Sequence, residues 1–390
     1  SPPPEPLHRP WEVKPYNPLA TMRPRTWSAE YFNDGFGPQV AVRTQGSDIV
    51  GRHVWSARLG VGLVRGDPWV DTSYVYRGAR PTLRLRFFRT VDAGGGYRVG
   101  SVSPEWAAER IGGESEVSVA FPSTFESHTL ALTYDASYVR AFGGLPDLAR
   151  YLNPSDAPPV FPFQGWSAGL RLSWWWSRLF RFAYSISTQE GVSLFATVRV
   201  ADPILGSAGG SVEASAGASA YIPMPWGMNR RRHVLALHLG AGVAVTDAGE
   251  RGVFALGGFP AFNPLSLLDT LRTGAQSGGI ALRGYPQFAR VGSQYELLNV
   301  EYRFPVVQVQ RGASTFPLFI QRVSGDVFVD VGYAGFGRFN PDLIAVGAGL
   351  EALIDIVVGY IVPLTVRVGY GKGFMEGGTD QVCSLLGSFF

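Results

Sequence analysis

The sequence has few charged residues and no long apolar run. Only 17% of its 390 residues are charged, whereas about a quarter is usual in soluble domains. A helix needs about 18 consecutive apolar residues to cross a bilayer. The longest candidate, residues 353–364, is interrupted by Asp355 and Pro363. These two shortages exclude a bundle of transmembrane helices and disfavour an ordinary soluble domain.

Cysteine and histidine are also scarce. The single cysteine, Cys383, excludes an intramolecular disulfide and a metal site built from several cysteines. Of the five histidines, the two closest in sequence, His233 and His238, are an odd number of residues apart and would face opposite sides of a strand. We therefore predict no metal site and no cofactor. The net charge of +3 is small, and we predict no nucleic-acid partner.

Apolar, aromatic and glycine residues are abundant: 46% of the residues are apolar, 13% are aromatic and 49 are glycine. Together with the low charge and the lack of a hydrophobic helix, this composition indicates a transmembrane β-barrel. The strands of such a barrel alternate between a lipid face and a polar lumen face. Leu83, Leu85 and Phe87 alternate with Arg84 and Arg86 in this way.

The alternation predicts an all-β fold, a transmembrane antiparallel β-barrel of sixteen strands. The predicted strands, with boundaries good to a few residues, are 26–34, 38–46, 52–65, 68–77, 81–91, 106–121, 125–141, 163–187, 190–202, 209–223, 231–246, 294–308, 318–334, 343–356, 360–371 and 380–390.

An even number of strands places both chain ends on one side of the membrane. The longer connections, 92–105, 142–162 and 247–293, each follow an odd-numbered strand, whereas turns after even-numbered strands are mostly short. Short periplasmic turns and long outer loops are typical of bacterial barrels. Residues 1–24, which are rich in proline, are therefore predicted to be a periplasmic linker, and residues 25–390 the outer-membrane barrel. Two soluble β-sandwiches would need a dividing linker, and none follows residue 24.

The connection 247–293 is very long for a compact domain, and such loops are usually functional. Its glycine and proline content, and the aromatic residue close to Arg283, indicate that it folds onto another part of the protein. We predict that this long sixth outer loop folds inward, into the barrel.

Three motifs in the second half of the chain resemble one family. Residues 282–285, Leu-Arg-Gly-Tyr, resemble the Val-Arg-Gly-Phe/Tyr tip of that family's sixth outer loop. Residues 328–332, Phe-Val-Asp-Val-Gly, resemble its Phe-x-Asp-x-Gly strand, and residues 387–390, Gly-Ser-Phe-Phe, resemble its terminal aromatic signal. The family comprises the outer-membrane assembly and two-partner-secretion transporters, the BamA/FhaC type, also called bacterial surface antigens. The close match covers about residues 255–390, and the first half resembles the family only in strand pattern.

The resemblance implies roles for individual residues. The loop-tip arginine is expected to point into the barrel and to pair with the strand aspartate, because a charge inside a barrel needs a partner or water. The alternative is that the two are lumen charges solvated independently. The expected site comprises the loop tip (Arg283, Gly284, Tyr285), the partner strand (Phe328, Asp330, Gly332) and the C-terminal signal (Gly387, Phe390).

The resemblance also implies a function. It predicts an insertase or translocator in the bacterial outer membrane, which templates client strands at a weakly paired seam between its first and last strands. Candidate partners are the outer-membrane bilayer, client outer-membrane or secreted proteins, and a periplasmic domain or lipoprotein. The alternative function is a passive channel, or a barrel that anchors a periplasmic POTRA or β-propeller domain.

Residues 165–169, Gly-Trp-Ser-Ala-Gly, match the nucleophile-elbow pattern of hydrolases. That motif requires a strand, a sharp turn and a helix. Here Ser167 opens a predicted strand in which Leu170, Leu172 and Trp174 alternate with other residues. We therefore predict that the chain is not an enzyme and has no catalytic residue.

Overall fold

A computed structural model of the chain describes residues 16–34, 37–94, 106–143, 163–182, 185–225, 233–246, 254–258, 281–286, 289–312, 314–359 and 362–387. These residues form strands joined by turns and loops. The strands are β1 Pro24–Asp34, β2 Gly37–Ser47, β3 His53–Gly62, β4 Pro68–Tyr76, β5 Thr82–Gly94, β6 Trp106–Pro122, β7 Ser127–Gly143, β8 Gly165–Phe180, β9 Glu190–Ala201, β10 Ser211–Pro223, β11 Val234–Thr246, β12 Phe254–Leu256, β13 Arg290–Gly292, β14 Gln294–Gly312, β15 Leu318–Gly335, β16 Ala345–Val358, β17 Val362–Gly373 and β18 Asp380–Gly387.

Helical structure in these residues is limited to two single 3-10 turns, Pro203–Leu205 and Pro341–Leu343. No helix in the described part of the chain is long and apolar enough to span a membrane.

Sixteen of the strands form one antiparallel sheet. They follow one another in chain order, and only β12 and β13 lie outside the sheet, paired with each other as a small hairpin. The predicted all-β fold with sixteen main strands is confirmed. The long connection between β11 and β14, which was predicted as a loop that folds inward, contains this hairpin. The eighth strand was predicted over residues 163–187, with a break near Arg178 as the alternative; it ends at Phe180, where the chain turns and the Gln189 amide donates to the Phe180 carbonyl.

The two faces of the sheet differ in polarity, as the alternation predicts. On one face, aliphatic and aromatic side chains such as Leu85 and Phe87 are more than half exposed. On the other face, charged side chains pair with one another across neighbouring strands. Arg86, for example, bonds Asp71 on β4 through two nitrogens at 2.9 Å and lies 3.6 Å from Glu114 on β6. An exposed apolar face and a paired polar face are what a lipid-facing wall around a polar interior requires.

The sheet curls toward its polar face. The Arg322 side chain on β15 donates a 2.8 Å hydrogen bond to the carbonyl of Ser185, in the turn between β8 and β9. In the strand order, β10, β11 and β14 separate β9 from β15, so this bond crosses the concave side. Strands β1 and β18 stand at the two ends of the order. No hydrogen-bonded pairing joins β1 to β18 within the described residues of the two strands.

Candidate functional site

Arg283 is the centre of a buried charge cluster on the polar face of the sheet. It belongs to the described loop segment 281–286, which the hairpin β12–β13 and a bridge between Gly258 and Leu282 hold in place. The side chain is only 2% exposed. The loop tip therefore lies against strands β14, β15 and β16 and away from solvent.

The guanidinium of Arg283 forms a two-pronged bond with Asp330 on β15. Its Nε donates to Oδ2 at 2.8 Å and its Nη2 donates to Oδ1 at 2.6 Å, while the Arg283 backbone amide donates to Oδ2 at 3.0 Å. Such bidentate, charge-assisted bonds are among the strongest and most directional in proteins. The expected contact between the loop-tip arginine and the strand aspartate is thus present.

Two further carboxylates complete the cluster. Glu301 on β14 lies 2.9 Å from Nη2 of Arg283, and Glu351 on β16 accepts from Nη1 at 3.2 Å. Each of them also pairs with a second arginine: Glu301 with Arg303 and Glu351 with Arg367. The cluster thus joins three consecutive strands and the loop through opposite charges, and its net charge is small.

The Phe-x-Asp-x-Gly pattern of β15 has a physical reason in this contact. The ring of Phe328 lies under the guanidinium, with its centroid 3.5 Å from the central carbon of Arg283, which favours a cation–π interaction. A methyl group at Gly332 would come within 3.0 Å of the Leu282 side chain. Phe328 thus supports the Arg283 cation and Asp330 binds it. Gly332 leaves room for Leu282, the residue before Arg283.

Gly284 brings the loop tip against β17. Its φ of +88° is in the left-handed region that favours glycine. A Cβ at this position would lie 2.5 Å from the backbone nitrogen of Gly373. The Gly284 carbonyl accepts from the Thr379 amide at 2.9 Å and its amide donates to Gln381 at 3.2 Å. Glycine is therefore required both by the backbone angle and by the close approach.

Tyr285 fixes the tip on its other side. The side chain is fully buried, in an apolar cluster that includes Leu256, Leu282 and Ala345. Its hydroxyl donates to the Val346 carbonyl at 3.0 Å and accepts from the amides of Val346 and Met375 at 3.1 and 3.0 Å. A buried tyrosine hydroxyl needs such partners, and here they tie the loop to β16 and to the connection after β17.

The other predicted site positions are those of the C-terminal signal. Gly387 pairs with Thr365 at the end of β18, and Phe390 lies outside the described residues. Ser167 lies within β8, where its hydroxyl accepts from Arg199 at 3.1 Å, so it is not on the strand–turn–helix that a nucleophile elbow needs. Within the described ranges, no cluster of three or more histidine, cysteine or acidic side chains has the arrangement of a metal site.

Sequence reasoning missed Glu301 and Glu351 as partners of Arg283. Glu301 lies between Val300 and Tyr302 in a strand of alternating polarity, and that signal could have made it a candidate. Glu351 follows the small-residue run Gly347-Ala-Gly-Leu, where glycines let the loop approach: a Cβ at Gly347 would lie 2.0 Å from the Arg283 carbonyl. The available clue was that Glu351 is the one acidic residue directly after this run of glycines.

A second contact fixes the segment that precedes β1. Asp48, in the turn between β2 and β3, is 2% exposed and accepts hydrogen bonds from the Tyr16 hydroxyl and the His53 amide. Burial acts to raise the pKa of the Asp48 carboxyl, but the bonds from Tyr16 and His53 outweigh it and lower that pKa below its ordinary value. The Trp55 indole adds a 3.2 Å bond to the Met22 carbonyl.

No protein-family model matches the chain, and no curated protein matches it. Solved structures do match. BamA from Haemophilus ducreyi lacking POTRA domains 1–3 is 15% identical, with 93% of this chain and 69% of that chain covered and a TM-score of 0.59. CdiB from Acinetobacter baumannii is 9% identical, with 92% of this chain and 58% of that chain covered and a TM-score of 0.53.

Both of these structures are barrels of the BamA/FhaC type, and the chain shares their fold. The fold that the resemblance of the three motifs implied is therefore confirmed. At 15% and 9% identity the likeness concerns the fold alone. The chain spans less than two thirds of the CdiB chain and slightly more than two thirds of the BamA chain.

Proposed function

We propose that the chain is an outer-membrane barrel of the insertase or translocator type, which assists the insertion or transport of proteins at the bacterial outer membrane. In this proposal β1 and β18 meet to close the sixteen strands, and the sixth outer loop folds into the lumen. Residues 1–24 are a periplasmic linker and residues 25–390 the barrel.

The observation that carries this proposal is that the two end strands, β1 and β18, have unpaired outer edges in their described residues and that β18 is short. Among the described residues they have no strand partner on their outer edges, and β18 is short, with eight residues against twelve in β17. Trp27 on β1 and Val382 on β18 are 67% and 78% exposed. An edge with free backbone donors and acceptors is costly in lipid. A short, weakly held closure can therefore open and pair with a client strand.

The loop anchor supports the same proposal. Ordering a long loop is costly in conformational entropy, and the Arg283 cluster offsets that cost at one defined point of the wall. An anchored loop steadies β14, β15 and β16 and occupies the lumen, while the seam between β1 and β18 stays free to open. The working parts are then the seam and the loop, and the mechanism is physical rather than covalent.

The alternative is a passive channel, or a barrel that anchors a periplasmic POTRA or β-propeller domain. The contacts that Tyr16 and Trp55 make at the β2–β3 turn favour it, because they hold the preceding segment against the barrel. Partners under the first proposal are client outer-membrane or secreted proteins and a periplasmic domain or lipoprotein. Under the alternative, the bilayer and the attached domain suffice.

The test is an insertion assay in liposomes. The purified chain is reconstituted, an unfolded small outer-membrane barrel is added, and folding of that client is followed by its heat-modifiable migration on a gel. We expect the chain to accelerate client folding relative to liposomes that contain a porin of sixteen strands. Equal rates in the two preparations would contradict the insertase proposal, and ion conductance without acceleration would support the passive channel.

A further inference from the structure

The turn between β8 and β9 is unusual because two of its residues are buried and one of them bonds a distant part of the wall. Turns between strands normally run over the surface, yet Ser185 and Gln189 are 4% and 5% exposed. We call residues 185–189 the strap. The strap lies at the end of the sheet where β8 ends. This is the side that was assigned above to the periplasm.

The strap is held by a bond that spans four strand positions. The Arg322 Nη1 donates to the Ser185 carbonyl at 2.8 Å. Neighbouring strands are about 4.8 Å apart, so the path along the wall from β9 to β15 is roughly 19 Å. The side chain of Arg322 shares the polar face with Asp326 and Asp330, which lie four and eight residues further along β15. The strap therefore extends across the interior and does not follow the wall.

Both ends of this bond are braced. On the wall, Asp355 of β16 accepts from Arg322 Nε, and Thr365 of β17 donates to the same carboxylate. In the strap, the Ser185 hydroxyl donates to the Gln189 side chain at 2.7 Å and accepts from the Phe182 amide at 3.0 Å. Asp355 thus orients Arg322 toward the strap, and the hydrogen bonds within the strap fix the Ser185 carbonyl that accepts from it.

We propose that the strap is a gate at the terminal end of the lumen: latched to Arg322 it obstructs the passage, and its release opens the passage. A closed barrel of sixteen strands is wide enough to leave an aqueous channel, so an element that crosses the interior controls what passes. The bond is a single charge-assisted one to a backbone carbonyl. It is strong enough to hold the closed state and weak enough to break during transport. This inference rests on the closed barrel of the proposed function, but not on client insertion.

The test is ion conductance of the purified full chain in a planar bilayer of phosphatidylcholine in potassium chloride. Arg322→Ala removes the latch, and we expect the ratio of open to closed time to rise about tenfold, the scale of one charge-assisted hydrogen bond. Arg322→Lys keeps the charge but replaces the separate Nε and Nη1 donors, which bond the carboxylate and the carbonyl, with one ammonium nitrogen on a shorter reach, so its ratio should lie closer to that of Arg322→Ala than to that of the parent. Equal conductance in the parent and the two Arg322 variants would overturn the gate. The same holds if none of the three proteins conducts.

Arg86→Ala is the matched control. Arg86 and Arg322 each pair with an aspartate on a neighbouring strand, and each side chain is 13% exposed. The two variants remove the same charge from the polar face, but the partners of Arg86 named above, Asp71 and Glu114, lie on adjacent strands. We expect Arg86→Ala to leave the open-to-closed ratio near that of the parent. An equal rise in both variants would assign the effect to lumen charge and overturn the gate.

A second readout reports the strap itself. Ser187→Cys, in a chain whose only other cysteine is removed by Cys383→Ser, is labelled with a membrane-impermeant maleimide. We expect Arg322→Ala to increase the labelling rate about tenfold, whereas a wall that is merely loosened would leave the rate unchanged. Heat-modifiable migration checks that each variant is folded. Client insertion is measured separately, so loss of insertion with an intact gate response would contradict the proposed function and not the gate.

Discussion

Asp330 depends on Arg283 more than the other carboxylates of the cluster do. Glu301 and Glu351 each retain a second arginine, whereas the hydrogen bonds of Asp330 within the described residues all come from Arg283. A carboxylate that is fully buried is costly to leave without a partner. Loss of Arg283 should therefore release the loop from the wall, because only then can water reach Asp330.

The first prediction follows from this dependence. In Arg283→Ala, the loop tip should open more often by a factor of roughly 5 to 150, the equivalent of the ~1–3 kcal/mol of one charge-assisted bond. Thermolysin cleavage before Leu282, which is fully buried in the parent, measures that opening. Arg283→Lys should restore little protection, because a lysine lacks the two-pronged geometry.

The sixteen strands should stay folded in both Arg283 variants, since their ladder does not depend on the loop tip. Heat-modifiable migration in detergent checks this. Cleavage at the parental rate in Arg283→Ala, or loss of the folded band, would contradict the account of the cluster as a loop anchor.

A second prediction at the residue scale concerns Gly284. Gly284→Ala introduces both a strained φ and a clash with the β17 backbone, so the same thermolysin assay should show strong exposure of Leu282. Gly337→Ala is the control: its φ is +72°, but a Cβ there meets nothing within 4 Å. It carries only the backbone penalty of about 1 kcal/mol and should leave cleavage before Leu282 unchanged. Equal cleavage in the two variants would show that the close approach to β17 is unimportant.

At the scale of elements, the segment before β1 is held by the β2–β3 turn through a titratable group. The pKa of Asp48 is lowered in the bound form, so the contact is favoured above the ordinary aspartate value, about pH 4. The contact between Asp48 and Tyr16 weakens as the pH falls through the lowered pKa of Asp48. A spin label at Leu19, which is 77% exposed, should become mobile over that acid range.

In Asp48→Asn the spin label at Leu19 should be mobile already at pH 7, with little further change on acidification, because the negative acceptor for the Tyr16 hydroxyl is gone. A label at Val64, which is 68% exposed in the β3–β4 connection, is the control and should report no change. If acidification left the Leu19 label immobile in the parent, the Asp48 contact would not hold the segment.

The strands were predictable from sequence because their period-two pattern is local. Leu83 to Phe87 carry the alternation within a few residues, whereas pairing between strands does not leave a local signal. The partnership of Arg283 with Glu351 depends on the register that sets Asp326 opposite Glu351, which no single strand encodes. The end of β8 was left open between Arg178 and residue 187 for the same reason, since the strap turns inward to meet Arg322 on a distant strand.

At the scale of the whole molecule, charge pairing between strands that are adjacent or one strand apart organises the polar face. Arg199 on β9 bonds Asp135 on β7 at 2.7 and 3.1 Å and lies 3.4 Å from Glu213 on β10. Comparable pairs at Arg86 and Arg283 lie on other parts of the sheet. A polar interior built from opposite charges tolerates burial that isolated charges would not. Under the proposed closure, the seam between β1 and β18 is then the weakest part of the wall.

Closure at the proposed seam, and its opening for clients, can be measured directly by cross-linking from the single cysteine. Cys383 lies on β18, and substitutions to cysteine at Thr26, Ser28 and Glu30 place a second thiol along β1. Gly369→Cys is the positive control, because Gly369 stands directly opposite Cys383 in the β17–β18 ladder, at a distance suited to a disulfide.

Oxidation in isolated outer membranes should cross-link Cys383 to at least one of the β1 positions, more slowly than to the cysteine at 369. The seam-locked protein should lose client insertion and regain it on reduction. If the control cross-links and none of the β1 positions does, the barrel is not closed at this seam. If the seam locks while insertion continues at the parental rate, the barrel is not an insertase that works through β1 and β18.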